Sequence, residues 1–169
     1  MELVFPTIEM KRAALDYRRE YFDHGEAHIH GSAGFNNAET YEGWLESRKA
    51  DLTLNDHPRF VAATAYFAIV NGEIVGTIQV RHELNEHLLQ NGGHIGYGVR
   101  PTARRKGYAT KMLALALEKC RELGINKALV TCDKDNIASA KTILSNGGVL
   151  ENEITESCGN IVQRYWILI

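Results

Sequence analysis

The sequence predicts an α/β domain, a central mixed sheet flanked by helices, and three observations carry that expectation. Asn71-Gly72 joins two β-rich runs, Phe60 to Val70 and Glu73 to Glu83, and this dipeptide is the strongest short-range hairpin signal because both residues tolerate positive φ. An amphipathic stretch from Gly107 to Leu123 lies between two strand-like runs, Gly93 to Arg100 and Lys127 to Cys132, the order of a strand–helix–strand unit. Two more β-rich runs, Val149 to Ile154 and Ile161 to Ile169, close the chain as a hairpin. With 169 residues and no internal repeat, low-complexity tract or linker-like segment, residues 1–169 read as one domain.

Each element has a local reason. A short apolar strand is allowed at Leu3 to Phe5. Residues 8–24 place Met10, Ala13, Ala14, Tyr17 and Tyr21 at helical spacing, with Gly25 as the stop. A loop rich in Gly and Asn, residues 31–37, leads to a second helix from about Ala38 to Lys49, with Tyr41, Trp44, Leu45 and Arg48 on one face. The helix from Gly107 to Leu123 carries Ala109, Met112, Leu113, Ala116, Leu117 and Cys120 on one stripe and ends at Gly124. Lys127 to Cys132 has the composition of a buried strand. A helix separates it from the strand before, so the pair is expected to be parallel with a right-handed crossover. The last helix, about Ile137 to Asn146, takes Asp135 or Asn136 as its cap, Ala140, Ile143 and Leu144 as its inner face, and Gly147 as its stop.

Bulk numbers exclude several classes. A net charge of −2, from 19 basic and 21 acidic residues, argues against a nucleic-acid binder working by bulk electrostatics. No apolar run approaches the ~18 residues that cross a bilayer, and Met1 to Pro6 lacks the charged and apolar regions of a secretion signal, so no membrane partner is expected. Cys120, Cys132 and Cys158 are odd in number and lack Cys-x-x-Cys spacing. Neither a disulfide framework nor a zinc site is expected, and a reducing cytoplasm is the simplest location.

The most informative stretch is Arg104-Arg105-Lys106-Gly107-Tyr108-Ala109, which follows a strand and opens into the long helix. The first N–H groups of a helix have no intrahelical partner, and the helix dipole adds partial positive charge at the same end. Three cations and a glycine there suit a diphosphate, and a side chain in place of Gly107 would hold the backbone away from phosphate oxygens.

In its setting this stretch resembles the acyl-CoA-binding motif of the GNAT superfamily of N-acyltransferases. Arg-x-x-Gly-x-Ala follows a strand ending Gly98-Val99-Arg100-Pro101, and His94 to Thr110 as a whole is similar to the family's fourth strand and pyrophosphate loop. Asn136-Ile137-Ala138-Ser139 is similar to the family's helix-opening asparagine segment, which contacts the pantetheine arm. The likeness runs from about Phe60 onward and is strongest between His94 and Gly147. It implies the GNAT fold, acetyl-CoA as cosubstrate without a metal, and the backbone of Tyr97, Gly98 and Val99 facing the pantetheine amides. It further implies that the N–H groups of Arg104, Arg105, Lys106, Gly107, Tyr108, Ala109 and Thr110 hold the diphosphate, with side-chain charge from Arg104 and from Arg105 or Lys106, while Asn136 and Ser139 flank the pantetheine. The first part of the chain carries no family motif; in such enzymes it shapes the acceptor pocket. Dimers are common among them, so a homodimer is one allowed assembly.

Acetyl transfer to an amine needs a group that accepts the amine's proton, because an alkylammonium is mostly protonated near neutrality. Many relatives use a glutamate on the fourth strand. Here that region offers His94, with Glu83 at the end of the neighbouring strand as the second candidate. The resemblance breaks at the general acid: the usual tyrosine, seven residues after the asparagine, is Ile143, and the usual Gly-Phe helix ending is Gly147-Gly148. His28-x-His30 lacks a third metal ligand and reads as a loop or acceptor-pocket feature. Cys132, with no His partner in sequence, reads as a buried structural thiol.

The sequence thus supports an N-acetyltransferase that moves an acetyl group from acetyl-CoA to the primary amine of a small molecule or peptide by direct attack. A non-catalytic acyl-CoA-binding sensor or interaction module is the alternative. The Gly-x-x-x-x-Gly-Lys-Ser/Thr arrangement of a nucleotide-binding P-loop is absent.

Overall fold

The structure, a computed structural model, describes residues 1–54 and 60–169. Its first sheet contains β1 (Glu2–Val4), β2 (Ala63–Val70), β3 (Glu73–Arg81) and β4 (Ile95–Val99), in that order and antiparallel at every joint. The expected hairpin turn forms, with φ of 51° at Asn71 and 81° at Gly72, the paired positive values that let a two-residue loop match the strand twist. Successive side chains of a strand point to opposite faces, so one face takes Phe67 and the other its neighbour Ala68.

The Phe67 face is covered by α1 (Lys11–Asp23) and α2 (Tyr41–Asp51). Tyr17, Tyr21, Phe35, Tyr41 and Trp44 form an aromatic cluster over it, which fixes the intervening loop: Trp44 Nε1 donates to the carbonyls of Ser32 and Ala33 at 3.1 and 3.2 Å. A short helix, α3 (Glu86–Gln90), follows β3. It was not expected, because five residues carry too little periodicity to read; its cap is nevertheless clear, with Asn85 accepting the Leu88 N–H at 2.9 Å.

The Ala68 face is covered by α4 (Tyr108–Glu122), whose Met112, Leu113, Ala116 and Cys120 are fully buried. A second antiparallel sheet follows, built from β5 (Lys127–Asp133), β6 (Val149–Thr155) and β7 (Ile161–Leu168) in the order β5-β7-β6, with α5 (Ile137–Ser145) between β5 and β6. The inner face of α5 matches the expected one at Ala140 and Ile143 and differs at Leu144. Thr142 and Ile143 are buried while Leu144 is exposed, because the helix end is tied to α4 by Asn146 Nδ2, which donates to the carbonyl of Thr110 at 3.2 Å.

The expected pairing of β4 with β5 along their length does not form, and the mixed sheet is two antiparallel sheets joined at one end. There, the His94 N–H donates to the Leu129 carbonyl at 2.7 Å, and the Leu129 N–H donates to His94 Nδ1 at 2.9 Å. Beyond that joint the strands part. Tyr97 on β4 reaches instead to α5, its hydroxyl 2.8 Å from Ser139 Oγ. Apolar composition reports that a strand is buried, not whether its ladder continues. The opening between β4 and β5 forms a cleft.

Candidate active site

The cleft has a volume of about 770 Å³ and is floored by residues 95–99, with Thr131, Cys132 and Asp133 opposite and Asn136, Ser139 and Thr142 of α5 alongside. One end is the turn before α4. Arg105 has φ 60° and Gly107 has φ 75°, and this alternation aims consecutive amides to one side. Among the described residues, the N–H groups of residues 105–110 have no protein acceptor; the first helical bond is Lys111 N–H to the Gly107 carbonyl at 3.2 Å. Six adjacent donors without acceptors, at the positive end of a helix of 15 residues, form a ready anion site. A Cβ built on Gly107 meets no protein atom within 4 Å, so the space beside it is open to a ligand.

The loop is braced from α1. Glu20 accepts from Arg100 Nε at 2.6 Å and from the Thr102 N–H and hydroxyl at 3.0 and 2.8 Å. Burial pushes this carboxyl upward, but the bonds from Thr102 and Arg100 outweigh it and hold the pKa below its ordinary value. Arg104 is also engaged: its guanidinium makes a two-pronged pair with Glu26, both at 2.7 Å, and lies over the Tyr21 ring at 5.6 Å. That pairing leaves Arg105 as the cation in the cleft wall without a carboxylate partner at this end, among the described residues. Lys106 faces a separate hollow of about 260 Å³ with Asn71, Glu73 and Arg100.

The structure thus gathers Tyr97, Gly98, Val99, Arg104, Arg105, Gly107, Tyr108, Ala109, Thr110, Asn136 and Ser139 around one cleft. Asn136 Oδ1 caps α5 by accepting the Ser139 N–H at 3.0 Å, which aims the side-chain amide nitrogen elsewhere. Ile143, fully buried, is not among the cleft-lining residues. The hydroxyls of Tyr97, Ser139 and Thr142 do line the cleft beside α5, and burial raises the Tyr97 pKa to about 12. Cys132 lines the cleft too, its thiol pushed up by burial, the opposite of an activated nucleophile.

The two residues expected to take a proton lie elsewhere. His94 is 7% exposed and outside the cleft lining; its Nδ1 already accepts the Leu129 amide. Burial, aided by the nearby Arg81 charge, lowers its pKa to about 4. Glu83 is exposed in the loop after β3, also away from the cleft.

Sequence reasoning undervalued the loop after α1. Its His28 and His30 line the cleft with their rings 4.5 Å apart, edge to face. Gly31, at φ 70°, lies so close to β4 that a Cβ there would sit 2.6 Å from Tyr97 Cα. The His30 carbonyl accepts from Thr77 Oγ1 at 3.0 Å, and Tyr17 backs Thr77 at 3.1 Å. These contacts fix the backbone of His30 and Gly31 against the middle of β4. Burial, then the adjacent His28, lowers the His30 pKa below the ordinary imidazole value. The His-x-His spacing was visible; what it faced was not. Among the described residues there is no group of side chains able to hold a metal, and no helix is long and apolar enough to cross a membrane.

A profile of the acetyltransferase (GNAT) family matches residues 16–146. No curated protein matches the sequence significantly. Among solved structures, the microcin self-immunity acetyltransferase MccE in complex with acetyl-CoA and AMP superposes with a TM-score of 0.71 at 17% identity, covering 99% of this chain and 91% of that one. The ribosomal-protein α-N-acetyltransferase RimL in complex with coenzyme A gives 0.71 at 18% identity, over 99% and 93%. A mutant of the spermidine N-acetyltransferase SpeG from Vibrio cholerae gives 0.69 at 15% identity, over 99% and 95%. At these identities the structures establish a shared fold. With the profile match, the chain belongs to the acetyltransferase (GNAT) family and is an acetyl-CoA-dependent N-acetyltransferase.

Proposed function

We propose that residues 1–169 act as one domain that acetylates a primary amine carried by a small molecule or peptide, by direct attack on the thioester. The observation that carries this reading is the row of six N–H groups without acceptors at residues 105–110, opening onto the cleft between β4 and β5. Acetyl-CoA supplies the activated acyl group. Its diphosphate suits the amide row, with charge from Arg105, and its pantetheine arm suits the open backbone edge of β4 at Tyr97 and Val99 on one side and Asn136 and Ser139 on the other. Arg104 serves this site by holding Glu26 and the loop after α1 in place.

For the proton of the amine, geometry favours His30, assisted by His28, over His94 and Glu83. A base must reach the amine first and have a suitable pKa second. His30 meets the first condition by its place in the cleft wall, and its lowered pKa keeps it neutral, hence able to accept, at pH 7. The paired hydroxyls of Tyr97 and Ser139, both in the cleft wall, support a reading in which one of them protonates the leaving thiolate, the role that Ile143 cannot fill.

The test is calorimetric titration with acetyl-CoA, followed by thiol release across a broad panel of amines. Saturable binding with thiol release that depends on an amine is the expected result. Binding without release for any amine would replace this reading with a non-catalytic acyl-CoA-binding module.

A further inference from the structure

Arg81, the last residue of β3, has an environment that the acyl-CoA site does not explain. Its side chain crosses the turn before β4 and donates from Nη1 to the carbonyls of Gly92 and Gly93, both at 3.0 Å. It lines the cleft, yet among the described residues it has no carboxylate partner. Burial lowers its pKa, an effect that no nearby acid offsets. Enclosing a guanidinium without a counter-charge is unfavourable, since arginine stays protonated. Acids in the cleft wall are committed elsewhere: Glu26 to Arg104, and Asp133 to the Asn160 amide at 2.8 Å.

The position of this cation is equally specific. A Cβ built on Gly96 would lie 3.8 Å from Gly31 Cα and 4.0 Å from Arg81 Nη1, so Gly96 brings the arginine and the histidine-bearing loop together at one point of the cleft wall. The amide row lies past the other end of β4, about 15 Å away at the usual rise of a strand. A diphosphate seated there cannot neutralise Arg81.

We infer that Arg81 binds a carboxylate of the acceptor, so that the substrate class is an aminocarboxylic acid whose amine is presented to the His28–His30 pair. The inference rests on the proposed transferase reading. The planar fork of arginine matches a carboxylate, and the two Gly carbonyls that hold Nη1 leave the remaining donors for the ligand. The same cation opposes a polyamine such as spermidine.

The experiment titrates CoA-saturated protein with α-, β- and γ-aminocarboxylic acids, with their decarboxylated amines and with spermidine, and measures thiol release from acetyl-CoA for the same set. Wild-type protein should bind at least one aminocarboxylic acid about 10- to 100-fold more tightly than the matching amine, the effect of one charge-assisted hydrogen-bonded contact. Arg81→Gln should erase that difference, and Arg81→Lys, which keeps the charge but not the fork, should keep part of it. Equal or tighter binding of the decarboxylated amines or spermidine by the wild type overturns the inference, as does a carboxylate preference that persists in Arg81→Gln. The wild-type comparison decides the matter even if a variant fails to fold. Acetyl-CoA affinity, measured in parallel, separates this failure from that of the transferase reading: acetylation of plain amines alone defeats only the carboxylate claim.

Discussion

The two ends of the cleft are built in contrasting ways. At the end beside α4, proposed to take the diphosphate, the wall is backbone: six N–H groups in one turn, two residues at positive φ and a helix terminus, all within ten residues of sequence. At the other end, proposed to take the acceptor, the wall is made of side chains, and they come from far apart: His28 and His30 from the loop after α1, Arg81 from the end of β3, Tyr97 from β4 and Ser139 from α5. The first kind of site is robust to most substitutions in its own side chains and is shared across a family. The second can be altered one residue at a time, which suits a region that selects the acceptor.

The largest expected effect tests which histidine takes the proton. His30→Ala should lower kcat by about 10²- to 10⁴-fold with acetyl-CoA affinity nearly unchanged. The sign with pH is definite: protonated His30 cannot accept, so the wild-type rate falls as pH drops through a pKa below 6.5, and the variant should lose that acidic limb. If His94→Ala shows this loss of rate while His30→Ala does not, His94 and not His30 takes the proton.

The next effect falls on stability. His94 joins the two sheets, so His94→Ala leaves the Leu129 amide without its acceptor and should cost about 1–3 kcal/mol. Because the folded-state pKa is about 4 against an ordinary 6.5, the unfolded chain takes up the proton first as pH falls. This contribution is intact above 6.5 and lost progressively toward 4. Thermal melts across that range should show a steeper fall for wild type than for His94→Gln; parallel curves would argue against a buried neutral histidine.

A smaller change is expected from Tyr97→Phe, about 10-fold in kcat, since a thiolate leaves with modest help from an acid. Leaving groups of differing thiol acidity sharpen the point. A variant equally slowed with all of them would show that the hydroxyl positions α5 rather than donates. Smallest of all, Asn136→Ala should cost about 1 kcal/mol of stability through its lost cap. A few-fold rise in KM for acetyl-CoA should accompany it if the side chain also touches pantetheine, and no rise if it only caps.

The same contrast explains what the sequence disclosed. The amide row was legible because its signals are local: a strand, a basic turn, Gly107 and an amphipathic helix in succession. The Asn71-Gly72 hairpin and the caps of α4 and α5 were legible for the same reason. The joint between β4 and β5 was not, because a parallel ladder that stops after one contact has the same apolar composition as one that continues. His94, judged by strand position, appeared free to act as a base; only the fold shows Nδ1 turned to Leu129 and the ring outside the cleft. His28-x-His30 and Arg81 were visible as letters, yet they meet only when β4 and the loop after α1 pack around Gly31 and Gly96.

The central claim, that backbone amides at residues 105–110 hold the cosubstrate by its diphosphate, is tested most directly by calorimetry on wild type and Gly107→Val with two ligands, acetyl-CoA and S-acetyl-pantetheine. A Cβ at 107 meets no protein atom, so the variant obstructs a ligand at the amide row, and its melt should show only the cost of a strained φ. Wild type should bind acetyl-CoA far more tightly than acetyl-pantetheine, and Gly107→Val should lose about 100-fold or more for acetyl-CoA while changing little for the ligand without phosphates. Unchanged acetyl-CoA affinity in folded Gly107→Val, or equal losses for both ligands, would contradict the account.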